Sequence, residues 1–299
     1  MRRTKKNTLD GAITAIVTPF TKKGAVDFPA LKRFLKYQLD GGINGIVVCG
    51  STGEAVTLND EEYSAVVKFT VDEVAGRVPV WAGAGSNDTA RAIRLSKIAE
   101  ANGVDGLLQV TPFYNKPTAN GLVAHYKAIA DAVDLPIILY NVPGRTGSNV
   151  LPATILRIAK EVPQVIGVKE ASGNINQIGD IIEGAPKGFV VLSGDDALTL
   201  PAMILGARGC ISVASNEAPK DFTAFCQAGL HGDWAEARRL HFKLLELMNI
   251  NFIETNPIPV KTALAMIGII DESVRLPLCA IEEKNRPSIK QCLKKLGLI

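Results

Sequence analysis

Lys169 closes the run Val165–Lys169 (VIGVK), and a lysine in that setting can do covalent chemistry. The run is short, apolar and rich in β-branched residues, so it reads as a buried strand, with Glu170, Ala171, Ser172 and Gly173 turning the chain behind it. If the strand alternates, Val165, Gly167 and Lys169 share one face. An amine on a strand buried on both faces loses hydration, which favours the neutral form that can add to a ketone and make a Schiff base. Read alone, the run favours a lysine that snorkels to the rim or pairs with Glu170, a reading that the rest of the chain reverses.

Three other apolar runs end in residues with chemical potential. Behind Gly45–Cys49 comes Gly50–Glu54 (GSTGE). The following helix is expected to start at Asn59–Asp60, so the hydroxyls of Ser51 and Thr52 are not merely its cap. Two hydroxyls with turn amides suit a carboxylate, and the alternative is a plain glycine-containing loop. Behind Pro136–Tyr140 comes Asn141–Gly147 (NVPGRTG). A tyrosine at a strand end can relay a proton, and Arg145 beyond it offers a planar fork for a second carboxylate. The alternative is a core tyrosine and a solvated arginine. Behind Gly106–Val110, the segment Thr111–Pro117 (TPFYNKP) places two aromatics between prolines, as a pocket wall or a subunit contact would need.

These runs belong to a regular alternation. Strands are expected at Ala12–Thr18, Gly45–Cys49, Val78–Ala82, Gly106–Val110, Pro136–Tyr140, Val165–Lys169, Phe189–Leu192 and Cys210–Val213. Helices are expected at Phe28–Leu39, Asp60–Val74, Thr89–Ala101, Gly121–Ala132, Pro152–Ala159, Asn174–Ile182, Ala197–Leu205 and Pro219–Ala228. Asn59 with Glu62 forms a capping-box pattern, and Pro152 and Pro219 suit first helical turns. Strands alternating with helices imply a parallel sheet. The first strand leads into Thr18-Pro19-Phe20 rather than a glycine-rich dinucleotide turn, so a closed α/β (β/α)8 TIM barrel is favoured over an open sheet. After about residue 230 strand signals stop. Trp234–Ile250, Val260–Ile267 and Ser288–Leu296 read as helices, with Asn256–Pro259 as a breaker between the first two. The expected organisation is a catalytic barrel over 1–230 and a C-terminal helical extension over 231–299.

Composition narrows the functional classes. Over 299 residues the chain is 47% hydrophobic and 21% charged, as a packed globule requires. A net charge of +3, spread along the chain, does not argue for nucleic acid. No apolar run reaches membrane-spanning length. The basic start, Met1–Lys6, lacks a signal-peptide core behind it, though a transit peptide is conceivable. The cysteines (Cys49, Cys210, Cys226, Cys279, Cys292) are odd in number and show no Cys-x-x-Cys spacing, which fits buried thiols in a reducing, cytoplasmic setting. His125, His231 and His241 lie near no ligand-spaced cluster, so neither metal nor cofactor is expected.

Gly50–Glu54 (GSTGE), Val110–Pro117 (VTPFYNKP), Tyr140–Gly147 (YNVPGRTG), Gly167–Gly173 (GVKEASG), Leu192–Asp196 (LSGDD) and Asn256–Lys261 (NPIPVK) together resemble the dihydrodipicolinate synthase/N-acetylneuraminate lyase superfamily of pyruvate-dependent aldolases. The resemblance runs from about Gly11 to the C-terminus. It implies a Schiff base between Lys169 and pyruvate, with Ser51, Thr52 and the Gly53 amide around the pyruvate carboxylate. It implies a proton relay of Tyr140, Ser51 and Tyr114, the last from a neighbouring subunit of a homotetramer. Ile211 resembles the residue whose carbonyl lines the pocket. Ser51 stands where many synthases have threonine, which keeps the hydroxyl. Arg145 resembles the residue that holds the carboxylate of aspartate semialdehyde, where sialic-acid lyases carry an aliphatic side chain. The synthase reaction of lysine and diaminopimelate biosynthesis is therefore expected. The alternatives are another pyruvate-dependent lyase or aldolase, acting on a sialic acid or a 2-keto-3-deoxy acid, and a catalytically silent barrel. Lysine-inhibited members gather an acidic residue and histidines near an asparagine and a tyrosine. Here the asparagine is Asn87, but Arg91 takes the acidic position, Asp60 and Tyr63 the histidine positions, and Phe113 the tyrosine position, so weak or absent lysine inhibition is expected.

Overall fold

The computed structural model describes residues 9–299; the basic stretch Met1–Lys6 lies outside the described residues. Eight parallel strands close into a barrel in sequence order. They are β1 (Gly11–Ala15), β2 (Gly45–Val48), β3 (Val80–Gly83), β4 (Gly106–Val110), β5 (Ile137–Asn141), β6 (Val165–Glu170), β7 (Val190–Ser193) and β8 (Gly209–Ser212). Around them run α1 (Phe28–Asp40), α2 (Asp60–Val74), α3 (Thr89–Ala101), α4 (Ala119–Ala130), the one-turn α5 (Pro143–Thr146), α6 (Pro152–Glu161), α7 (Ile175–Gly184), α8 (Thr199–Leu205) and α9 (Pro219–Leu230). The chain ends with α10 (Trp234–Ile250), α11 (Ile258–Ile267) and α12 (Arg286–Lys295).

The barrel forms because its strands carry two apolar faces. Ile13, Val47, Trp81, Leu108, Ile138, Leu192 and Ile211 fill the interior, while Ile46, Val48, Ala82, Leu107, Leu139 and Val168 pack outward against the helices. Large and small residues interlock: a Cβ at Gly106 would lie 2.2 Å from the Trp81 ring, so only glycine leaves room for the indole.

One register irregularity bears on the site. Ile137 of β5 faces Val165 of β6, but Ile138 faces Gly167. The extra residue in β6 breaks the alternation. Val165 packs in the outer layer and Ile166 packs against the interior. Val165 therefore does not share the face of Lys169, contrary to the simple period-two expectation. Past the irregularity the register is regular, and Lys169 lies beside Tyr140.

Local signals act as expected at several helix starts. Asn59 and Glu62 form a reciprocal capping box, and Pro152 and Pro219 occupy first turns. The short α5 has too few residues to show a period and was not expected from the sequence. Helix α11 begins at Ile258, so Pro259 sits in its first turn, where a missing N–H costs little, and the break ends earlier than expected. The last three helices share an apolar cluster with the barrel: Leu240, Leu244, Leu247 and Leu293 join Ala12, Cys210, Phe222 and Phe225. No helix among the described residues is long and apolar enough to cross a membrane. All five cysteines are free; four are buried, but Cys279 is exposed.

Candidate active site

Parallel strands leave their C-terminal ends at one rim, where the connecting loops converge. There a cavity of about 550 Å³ is lined by Ser51, Tyr140 and Arg145, among others, with Asn256 contributed from the segment before α11.

Lys169 is 5% exposed, and its Nζ lies 4.4 Å from the centre of the Tyr140 ring. Among the described residues its amine has no hydrogen-bond or ion-pair partner. Glu170, next along the strand, points to the other face. Its carboxylate accepts from the Asn141 amide at 3.0 and 3.1 Å, from Gln177 at 3.2 Å and from the Ser172 backbone N–H at 2.7 Å. Neither snorkelling nor pairing with Glu170 describes Lys169. Space around its stem is tight: a Cβ at Gly194 would lie 3.0 Å from both Cγ and Cε of Lys169. Glycine at the end of β7 lets the strand come this close.

The loop behind β2 presents the hydroxyl socket. Thr52 is buried and Ser51 exposed. The Gly53 N–H donates to the Gly50 carbonyl at 3.1 Å. That corrects the expected role of Gly53: its amide closes the turn rather than facing a ligand. The amides of Ser51 and Thr52 have no acceptor among the described residues, which leaves them able to bind an anion. Thr18 Oγ1 fixes the loop from below by donating to the Gly53 carbonyl at 2.7 Å.

Arg145 sits on α5, the turn that Pro143 initiates. Its Nη2 donates to the Asn256 carbonyl at 3.2 Å, and its side chain lines the cavity. Ile211 is fully buried on β8 beside Ile13 of β1. The aromatic pair divides its roles. Phe113 lines the cavity, whereas Tyr114 is 89% exposed, lies outside the lining and holds a positive φ of 72°. Within one chain the structure brings Lys169, Tyr140, Ser51 and Arg145 to one rim and leaves Tyr114 facing outward.

Two features were missed in the sequence. Lys261 and Glu54 form a fully buried ion pair at 2.5 Å. Lys261 also donates to the Ser273 carbonyl at 2.7 Å, and Glu54 accepts from the Arg275 N–H at 3.0 Å. Burial pulls the Lys261 ammonium down to about 8, against the holding effect of Glu54. Asn256, 5% exposed, donates from Nδ2 to Thr52 Oγ1 at 3.0 Å. The segments GSTGE and NPIPVK stand out separately in the sequence, but the partners lie more than 200 positions apart, and no periodicity links residues at that distance.

An unpaired buried amine, a tyrosine ring against it, free amides beside two hydroxyls and a guanidinium at the rim make a site suited to carbanion chemistry on a keto acid. The Dihydrodipicolinate synthetase family model matches residues 8–296. The 4-hydroxy-tetrahydrodipicolinate synthase of Maridesulfovibrio salexigens is 51% identical over 292 residues, covering 98% of this chain and 100% of that one. A crystal structure of dihydrodipicolinate synthase from Thermotoga maritima aligns with a TM-score of 0.95 at 45% identity, covering 97% of this chain and 99% of that one. The chloride-inhibited enzyme from Acinetobacter baumannii, complexed with pyruvate, aligns with a TM-score of 0.96 at 45% identity, covering 98% and 100%. With that extent of similarity over nearly its whole length, the chain belongs to the dihydrodipicolinate synthetase family.

Proposed function

We propose that this protein condenses pyruvate with L-aspartate 4-semialdehyde, with Lys169 as the Schiff-base lysine. The observation that carries the reading is the buried, unpaired Lys169 amine against the Tyr140 ring, together with the membership just described. The Lys169 amine adds to the pyruvate ketone and water leaves. The resulting iminium acidifies the methyl group, which loses a proton to give an enamine. The enamine carbon attacks the aldehyde, whose oxygen takes up a proton. The amino group of the adduct then adds to the imine carbon, which closes the ring and frees Lys169.

In this reading Ser51 and Thr52 receive the pyruvate carboxylate through hydroxyls and free amides, and Ile211 contributes its carbonyl to the pocket. Tyr140 and Ser51 move the protons, joined by Tyr114 from a second copy of the chain. An exposed tyrosine held at positive φ gains from such a neighbour, since the conformation costs free energy and leaves the ring open to water. Arg145 holds the carboxylate of the semialdehyde. The assembly is a homotetramer and the location cytoplasmic, and residues 231–299 are a helical extension of the catalytic barrel at 1–230.

The test offers purified protein pyruvate with aspartate semialdehyde, and in parallel with neutral and polyhydroxylated aldehydes. Turnover with the semialdehyde is expected. Borohydride reduction in the presence of pyruvate should add the mass of one reduced adduct per chain, on Lys169. Lys169→Ala should lose both the adduct and nearly all turnover. An adduct on another lysine, or turnover only with the other aldehydes, would overturn the assignment.

A further inference from the structure

We propose that Asn256 is a positioning residue that aims the Thr52 hydroxyl at the keto-acid carboxylate while its backbone carbonyl sets the pose of Arg145; this rests on the function proposed above. The argument begins with the hydroxyl's inventory. A threonine oxygen has one proton to donate and lone pairs that accept. Asn256 Nδ2 donates to Thr52 Oγ1 at 3.0 Å, so a lone pair is occupied and the proton is left for an acceptor elsewhere. The pair is buried, with Thr52 at 3% and Asn256 at 5% exposure. Little water competes, and the orientation persists when the cavity is empty. That is preorganisation toward an anion.

The same residue reaches the other carboxylate site through its main chain, by accepting from Arg145 Nη2 at 3.2 Å. One residue thus touches the hydroxyl assigned to pyruvate and the guanidinium assigned to the semialdehyde. Its own position is secured from the helix it precedes. Lys261 of α11 pairs with Glu54, two residues beyond Thr52, so the tail grips the β2 loop at two points. In this proposal Asn256 acts through its contacts with Thr52 and Arg145.

The two contacts can be separated because one is side chain and the other main chain. Asn256→Asp keeps the shape and the backbone carbonyl but turns the donor into an acceptor. It draws the Thr52 proton onto itself and adds a negative charge beside a carboxylate socket. Asn256→Ala removes the side-chain contact alone. With steady-state kinetics, borohydride trapping and thermal unfolding on all three proteins, the KM for pyruvate should rise roughly tenfold in Asn256→Ala and further in Asn256→Asp. The KM for the semialdehyde should stay within about twofold, and the unfolding midpoint of Asn256→Ala, which buries no new charge, should stay near the parent's. Unchanged pyruvate KM in both variants overturns the proposal. So does a loss in which both KM values rise while kcat and the unfolding midpoint fall together, which marks a merely structural asparagine. Failure of the parent itself to trap pyruvate on Lys169 would instead remove the underlying function.

Discussion

At the scale of single residues, the site separates two buried lysines by what surrounds each. Both amines lie over an aromatic ring, Phe20 for Lys261 and Tyr140 for Lys169, but Lys261 also meets a carboxylate at 2.5 Å and a carbonyl at 2.7 Å. An amine with no counter-charge can react, and one held in an ion pair is a structural tie. In the proposed function, Arg145 is the residue assigned to select an acidic second substrate. Arg145→Leu should leave pyruvate trapping on Lys169 largely intact while lowering kcat/KM for aspartate semialdehyde. Losing a charge-assisted bidentate contact removes roughly 1.5–3 kcal/mol, on the order of tenfold to a hundredfold. A variant that used the semialdehyde as well as the parent would make Arg145 a surface residue with no part in selection.

At the scale of elements, the loop behind β2 is held by the tail as well as by its own turn. Glu54 stands at a positive φ of 51°, and its carboxylate is satisfied by Lys261 and by the Arg275 backbone. The Arg275 guanidinium also reaches the capping glutamate Glu62 of α2, with Nη1 at 2.7 Å. Lys261→Met leaves Glu54 buried without its cation, which should cost about 3–5 kcal/mol in denaturant unfolding and raise the KM for pyruvate as the loop loosens. The double replacement Glu54→Leu with Lys261→Met should recover a good part of the stability, because no buried charge is stranded. If the single variant unfolded at the parent's midpoint, the tail would not be holding the loop.

At the scale of the whole molecule, the cavity extends beyond the chemistry to Asn87, Arg91 and Phe113, positions where lysine-inhibited members resemble one another. Lysine brings two ammonium groups and one carboxylate. Arg91 repels the former, and Asp60, the carboxylate expected to offset it, is already paired with Arg94 at 2.7 Å. Tyr63 is buried among core residues and offers no charge. Millimolar-range lysine should therefore leave most of the activity in place. Strong, saturable inhibition in a lysine titration, abolished by Asn87→Ala, would contradict this.

Sequence alone determined the order and kind of the elements apart from the one-turn α5, since the eight apolar runs and the helical periods between them are local patterns that the barrel satisfies one after another. It also brought out Lys169, Tyr140, Ser51, Thr52 and Arg145, because each ends a strand or follows one closely, and a parallel barrel gathers strand ends by construction. What tertiary structure decided was everything that depends on distance between remote segments. The shift opposite Ile137 turned Val165 outward, a matter of pairing with a neighbour that no single-strand period contains. The use of the Gly53 amide within its own turn depended on loop geometry. The grip of Asn256 on Thr52 and of Lys261 on Glu54 joined the segment around α11 to the loop behind β2. Hydrogen bonds and ion pairs form wherever the folded chain brings partners within about 3 Å, and that proximity is a property of the closed barrel, not of spacing along the sequence.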